Sequence, residues 1–236
     1  MQINGAVALV TGANRGLGEQ FVKALLDRGA AKVYAAARNP DAVRVPGAVP
    51  LALDITNPAS VRAAAERAQD VNLLVNNAGI STGSGVLDGS LEDYRREMDT
   101  HVFGTLDVSR AFAPVLGRNG GGALLNVLSV LSWLAVPRTA AYCAAKAAEW
   151  SVTNSLRISL AEQRTQVTAL HVGLMDTDLA AGQEGPKSDP AEVARAALDG
   201  IEAGAYEVLA DEMSRQVKAA LSGDPAALYP RPGSGV

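Results

Sequence analysis

Tyr142 and Lys146 stand four residues apart in the alanine-rich stretch Thr139-Ala-Ala-Tyr-Cys-Ala-Ala-Lys146. Alanine favours helix, and on a helix the two side chains share one face, a single turn apart. A phenol titrates near 10 in water and is a poor acid or base at neutrality. A nearby ammonium favours its phenolate and brings it within reach of proton transfer. Such a pair also arises by chance as an exposed lysine beside a half-buried tyrosine, so its meaning rests on what surrounds it. Thirteen residues upstream, after the apolar run Leu124–Val127, stands Ser129, a hydroxyl able to bind the same substrate atom.

The elements that would position these groups are legible as short apolar runs: Val7–Val10, Val33–Ala36, Leu51–Leu53, Leu73–Val75, Leu124–Val127, Val167–Leu170 and a weaker Glu207–Leu209. Strands apolar throughout are covered on both faces, and the segments between them carry helical periodicity. This is the pattern of a doubly wound α/β fold with a parallel sheet. Long helices are expected over 91–116 and 139–163, the first with Tyr94, Met98, His101, Thr105, Val108 and Phe112 on one stripe.

The first strand leads into Thr11-Gly12-Ala13-Asn14-Arg15-Gly16-Leu17-Gly18, with three glycines in seven residues. A glycine-rich strand-to-helix turn lets the backbone approach a pyrophosphate held at the positive end of the helix. No Lys-Ser/Thr follows, so a dinucleotide is expected rather than a nucleoside triphosphate. The second strand ends at Arg38, where an acid would bind a ribose 2′-hydroxyl. Arg38 with Arg15 instead suits a 2′-phosphate, hence NADP(H) over NAD. Asp54 and Asn76-Asn77-Ala78-Gly79 follow the third and fourth strands, at the sheet edge where such folds bind ligands.

The length of 236 residues and 48% hydrophobic content suit one domain over 1–236, with a short lid at about 177–190 and a flexible tail at 230–236. A net charge of −4 with intermixed signs gives no cationic surface for nucleic acid or an anionic membrane. No apolar stretch reaches the roughly 20 residues of a membrane span, and no secretion signal is visible, so a cytoplasmic protein is expected. Cys143 is the single cysteine. With His101 and His171 it shows no ligand spacing for a metal, and no Gly-x-Ser-x-Gly elbow suggests a hydrolase.

Taken in order, Thr11-Gly12-x-x-x-Gly16-x-Gly18, Asn76-Asn77-Ala78-Gly79, Ser129 and Tyr142-x-x-x-Lys146 resemble the short-chain dehydrogenase/reductase family over nearly the whole chain. The resemblance implies a strand order of 3-2-1-4-5-6-7 and NADP(H) across the carboxyl edge of the sheet. It implies that the turn from Gly12 through Asn14, Arg15, Gly16, Leu17 and Gly18 holds the cofactor, with Arg15 and Arg38 on the 2′-phosphate. Asp54 and Ile55 would border the adenine, and the backbone of Asn77, Ala78 and Gly79 the adenine ribose side. Gly173, Met175 and Thr177 would anchor the nicotinamide amide, and Tyr142 and Lys146 would face its ribose.

In that scheme Tyr142 exchanges a proton with the substrate oxygen, Ser129 orients that oxygen, and Lys146 grips ribose hydroxyls and lowers the tyrosine pKa. The implied activity is interconversion of a small or medium, apolar carbonyl compound with its alcohol, in a homodimer or homotetramer. The alternative is an NADP-binding redox sensor or scaffold of the same fold; a sugar-nucleotide epimerase would need an added substrate domain.

Two positions depart from the family pattern. His101 replaces the asparagine of the family's proton relay, and either substitutes in that relay or is a packed helix histidine. Val172 replaces a proline and is expected to loosen the loop after the sixth strand. Trp133 and Leu134 are an apolar pocket wall or simply packing, and Asp176 and Asp178 are expected to cap a short helix.

Overall fold

The computed structural model describes residues 1–229; the expected flexible tail at 230–236 lies outside the described residues. Seven strands form one parallel sheet: β1 (Val7–Thr11), β2 (Lys32–Ala37), β3 (Val49–Ala52), β4 (Leu73–Asn76), β5 (Ala123–Val127), β6 (Gln166–His171) and β7 (Glu207–Leu209). Their order is 3-2-1-4-5-6-7, as the resemblance implies. The order reverses between β1 and β4, where a crevice opens at the strand carboxyl ends.

The helices are α1 (Gly16–Asp27), α2 (Pro58–Arg67), α3 (Leu91–Met98), α4 (Thr105–Arg118), α5 (Ala140–Ser159), α6 (Pro190–Glu202) and α7 (Glu212–Ala220). Alternate residues of each strand enter opposite cores. Ala8 and Val10 pack with Phe21 and Leu25 of α1 and Leu198 of α6. Leu9 packs with Val61 of α2, Phe112 of α4 and Leu156 of α5. Burial on both faces is why the central strands lack polar alternation. Strand β3 is the exception: it lies at the sheet edge, exposes two of its four residues and accommodates Pro50.

Two helical expectations are corrected. No α-helix joins β2 to β3; only a single 3₁₀ turn, Pro40–Ala42, lies there, because the connection is too short and carries Pro40 and Pro46. The helix expected over 91–116 is interrupted by a π-helical turn, Asp99–Gly104. Such a turn adds a residue to the helical repeat and rotates the α3 side chains against those of α4. Glu97 therefore points inward and is fully buried, while Met98 joins Leu91, Tyr94 and Phe103 along a shallow surface groove. The helix expected over 139–163 runs over 140–159, preceded by the 3₁₀ turn Pro137–Thr139. No helix among the described residues is long and apolar enough to cross a membrane.

Candidate active site

At the carboxyl edge of the sheet lies an open cleft of about 1210 Å³, and every residue singled out for chemistry or cofactor contact lines it. The sequence places them far apart; the parallel sheet gathers them because each follows a strand of the same direction. Arg38, Asp54 and Ile55 follow β2 and β3 on one side of β1, Ser129 and Gly173 follow β5 and β6 on the other, and Thr177 reaches back against Gly16 of the glycine turn.

The glycine turn is held by backbone geometry that larger residues would break. Gly12 and Gly16 have φ of +64° and +55°, and a Cβ on Gly18 would fall 2.2 Å from the Gly12 carbonyl oxygen. The turn is fastened to β4: the Asn77 side chain donates to the Thr11 and Gly12 carbonyls, at 2.9 and 3.3 Å. Thr11 Oγ1 accepts from the backbone N–H groups of Asn77 and Ala78. Helix α1 then begins with no side chain capping its first turn, whereas Asn57, Ser90, Asp189 and Asp211 cap four other helices. Its free N–H groups and positive end face the cleft and fit a pyrophosphate.

Arg38 lines the cleft beside Ala37, and Arg15 forms a solvent-exposed ion pair with Asp178 at 3.1 Å. An exposed pair of this kind contributes little and can be exchanged for a ligand phosphate. Asp178 thus pairs with Arg15 and opens the short turn Asp178–Ala180, whose N-cap, Thr177, makes no side-chain cap; the capping role expected for Asp178 is not seen.

Ser129 ends an extended segment after β5, and its Oγ accepts from Leu131 N at 3.1 Å. It is close enough to Tyr142 to favour the phenolate by hydrogen bonding. Lys146 is buried below them, its Nζ 5.7 Å from the Tyr142 ring centre. The ammonium donates to Val127 O at 2.8 Å and to Glu149 Oε2 at 2.7 Å. This partner changes the acid–base balance expected from the pair alone. Burial pushes the Tyr142 phenol above its ordinary value, and the opposing pull of Lys146 is offset by Glu149 and Glu97. Lys146 is itself raised: burial lowers it, but Glu149 and the phenol more than compensate.

His101 is buried in the π-turn with its ring edge-on to Tyr142, 5.2 Å between centres. Its Nε2 lies 2.9 Å from the Ile80 carbonyl and 3.2 Å from Glu97 Oε2; its Nδ1 lies 3.7 Å from Glu149 Oε2. Gly79 must be glycine here, since a Cβ would come within 2.6 Å of the imidazole.

Glu97 and Glu149 escape a reading by motif. Their signal is position: Glu97 is one turn before His101 and Glu149 one turn after Lys146, each charged on a face otherwise turned to the interior.

The loop after β6 keeps its backbone contacts with Val172 in place of proline. Val172 is buried, its carbonyl accepts from Val130 N at 3.0 Å, and Gly173 N donates to Asp211 Oδ2 at 2.6 Å. Asp211, the N-cap of α7, supplies from a distant segment the restraint that a proline would give locally. Leu134 lines the cleft, but Trp133 does not. Trp133 stacks on His171 at 3.7 Å, with Lys218 Nζ 4.7 Å from its ring centre. His171 is fully buried, lies 3.2 Å from the Ser129 carbonyl through Nδ1, and is lowered by burial to about 4.

A doubly wound sheet with a glycine turn at its switch point and a Ser/Tyr/Lys group across the same cleft defines a nicotinamide-dinucleotide oxidoreductase domain. Comparison with known proteins gives the family. The profile of the short chain dehydrogenases matches residues 6–187, and the chain belongs to the short-chain dehydrogenase/reductase family. A short-chain dehydrogenase from Burkholderia cenocepacia, solved in complex with NADP, is 42% identical over the full length of both chains, with a TM-score of 0.94. A 3-ketoacyl-(acyl-carrier-protein) reductase from Brucella melitensis, solved with NADH, is 30% identical, covering 88% of this chain and 97% of its own, with a TM-score of 0.80. Sorbitol dehydrogenase of Cereibacter sphaeroides is 34% identical over 187 residues, 75% of this chain and 73% of that protein.

Proposed function

We propose that the protein is an NADP(H)-dependent oxidoreductase interconverting a carbonyl compound and its alcohol, with Tyr142 as general acid/base. The observation that carries this reading is the convergence of Ser129, Tyr142 and Lys146 on the cleft that also holds the glycine turn. The nicotinamide would supply or take the hydride. Ser129 orients the substrate oxygen by hydrogen bond, and Tyr142 gives or takes its proton. Lys146 and the backbone around Gly173, Met175 and Thr177 hold the nicotinamide end of the cofactor. Leu134, Val136, Leu174 and Met213 line the adjoining wall, which suits a small or medium apolar substrate.

The preference for NADP rests on Arg15 and Arg38 at the adenine end, with the NADP complex of the Burkholderia relative in support. Replacing Arg38 by Asp is expected to weaken NADPH binding by roughly tenfold to a hundredfold while sparing NADH, the size of one lost charge-assisted contact. Fluorescence titration with both cofactors checks it. Following NADPH oxidation against a panel of ketones and aldehydes tests the activity; tight NADPH binding with no turnover across the panel refutes it.

The exposed apolar side chains Leu91 and Phe103, with Ile158 on α5, support self-association through the helices that carry His101 and Tyr142. Light scattering decides between monomer, dimer and tetramer.

A further inference from the structure

Behind Tyr142 the protein buries four ionisable side chains in one connected group. Lys146 pairs with Glu149; Glu149 Oε1 accepts from Thr105 Oγ1 at 3.3 Å; His101 stands between Glu149 and Glu97. Glu97 Oε1 accepts from Thr82 N at 2.6 Å. Glu97, His101, Lys146 and Glu149 are each at most 4% exposed. Isolated buried charges are costly, so a group of this kind persists only if its charges balance. Two carboxylates face one ammonium, and the balance requires one further proton, on His101 or on a carboxyl group. The imidazole bridges the two carboxylates, with Nε2 3.2 Å from Glu97 Oε2 and Nδ1, which makes no hydrogen bond, 3.7 Å from Glu149 Oε2.

The groups facing Tyr142 are Lys146 and Glu149 on its own helix, Glu97 on α3, His101 on the π-turn and the Ser129 hydroxyl after β5. In a dry site the strength of each charge on the phenol depends on what already neutralises it. Resting on the reading of Tyr142 as acid/base, we propose that Glu149 is a positioning residue for the reaction. It takes up the Lys146 charge that would otherwise stabilise a Tyr142 phenolate, so the resting phenol keeps its proton for a carbonyl oxygen. The site is thereby set toward reduction of a carbonyl compound. The upward direction of the Tyr142 phenol, to which both carboxylates contribute, agrees with this arrangement.

Tyrosinate absorbance of the cofactor-free protein, as the difference from Tyr142→Phe at each pH, reads Tyr142 directly. Glu149→Gln keeps the size and hydrogen-bonding oxygen but removes the charge; Tyr142 is expected to ionise about one unit lower or more, a tenfold change in its acidity. Glu149→Asp should restore most of the wild-type behaviour, and Glu97→Gln should shift it the same way by less. The alkaline limb of the pH profile for carbonyl reduction should move with the titration. Unchanged ionisation in both Glu149→Gln and Glu97→Gln overturns the proposal, and if Glu149→Gln does not fold, Glu97→Gln decides by the same measurement. A shift in Glu149→Gln together with a wild type that reduces no carbonyl compound refutes the carbonyl chemistry and upholds the Glu149 assignment. An active wild type whose variants show no shift does the reverse.

Discussion

The chain's two histidines are both buried, and each touches the active site, yet they are held differently. His101 lies between two carboxylates, edge-on to Tyr142. His171 is stacked flat on Trp133, near the Ser129 carbonyl, with the Lys218 ammonium above the same indole. Both imidazoles have a carboxylate within 4 Å, Glu97 and Glu149 at His101 and Glu207 at His171; at His171 burial against the indole outweighs that carboxylate and holds the ring neutral. The first region places two carboxylates and Lys146 behind Tyr142, and the second is a neutral strut beneath Ser129. A carboxylate near the ring does not tell them apart; the stacking partner and the Lys146–Glu149 pair do.

If the His101 side serves proton transfer, Tyr142→Phe should give the largest loss. Removing the hydroxyl while keeping the ring against His101 is expected to lower kcat on the order of 10²- to 10⁴-fold. NADPH affinity should stay within a few-fold of wild type, and steady-state kinetics with a cofactor titration check both. Unchanged activity would mean that the proton comes from elsewhere and would erase the contrast.

The His171 side should appear in stability. Its imidazole titrates at about 4 in the folded protein against 6.5 when free. The unfolded chain therefore binds this proton first, so the contribution is fully present above 6.5 and is lost as the pH falls through 4. The loss amounts to roughly 3 kcal/mol, at 1.36 kcal/mol per unit. Urea unfolding between pH 4 and 7 should be flatter by about that amount in His171→Gln.

A smaller effect separates burial from charge within the same region. Lys218 pairs with Glu207 at 2.7 Å and is one cause of the low His171 value, though burial is the main one. Lys218→Met should let His171 gain its proton at a somewhat higher pH and cost about 1 kcal/mol for the lost cation–aromatic contacts. The His171 ring resonances across a pH series measure the first, and thermal unfolding the second. No movement would leave burial and Lys146 as the causes of the low value.

The fold was legible in the chain because its information is local. Runs such as Val7–Val10 and Leu73–Val75 have no polar face, and a strand without one has to lie between two layers of helices. The glycine turn and the Tyr142/Lys146 spacing were legible for the same reason, since the turn needs glycine at positive φ and a helix brings residues four apart together. The break in the helix over 91–116 was not. Whether a residue is inserted into a helical repeat depends on what packs against it, here Ile55 on Gly104 and Gly79 on His101, from segments distant in sequence.

Sequence by itself determined the parallel sheet between helices, the glycine turn and the shared helix face of Tyr142 and Lys146, because those arise from periodicity and spacing; the strand order and the grouping of this pair with Ser129 followed from the family resemblance. Only the tertiary structure decided how strong an acid Tyr142 is. Lys146 by itself would lower the phenol; burial, aided by Glu149 and Glu97, leaves it raised. The sign of that balance depends on distances and burial across α3 and α5, and electrostatic energy in a dry interior changes steeply with both.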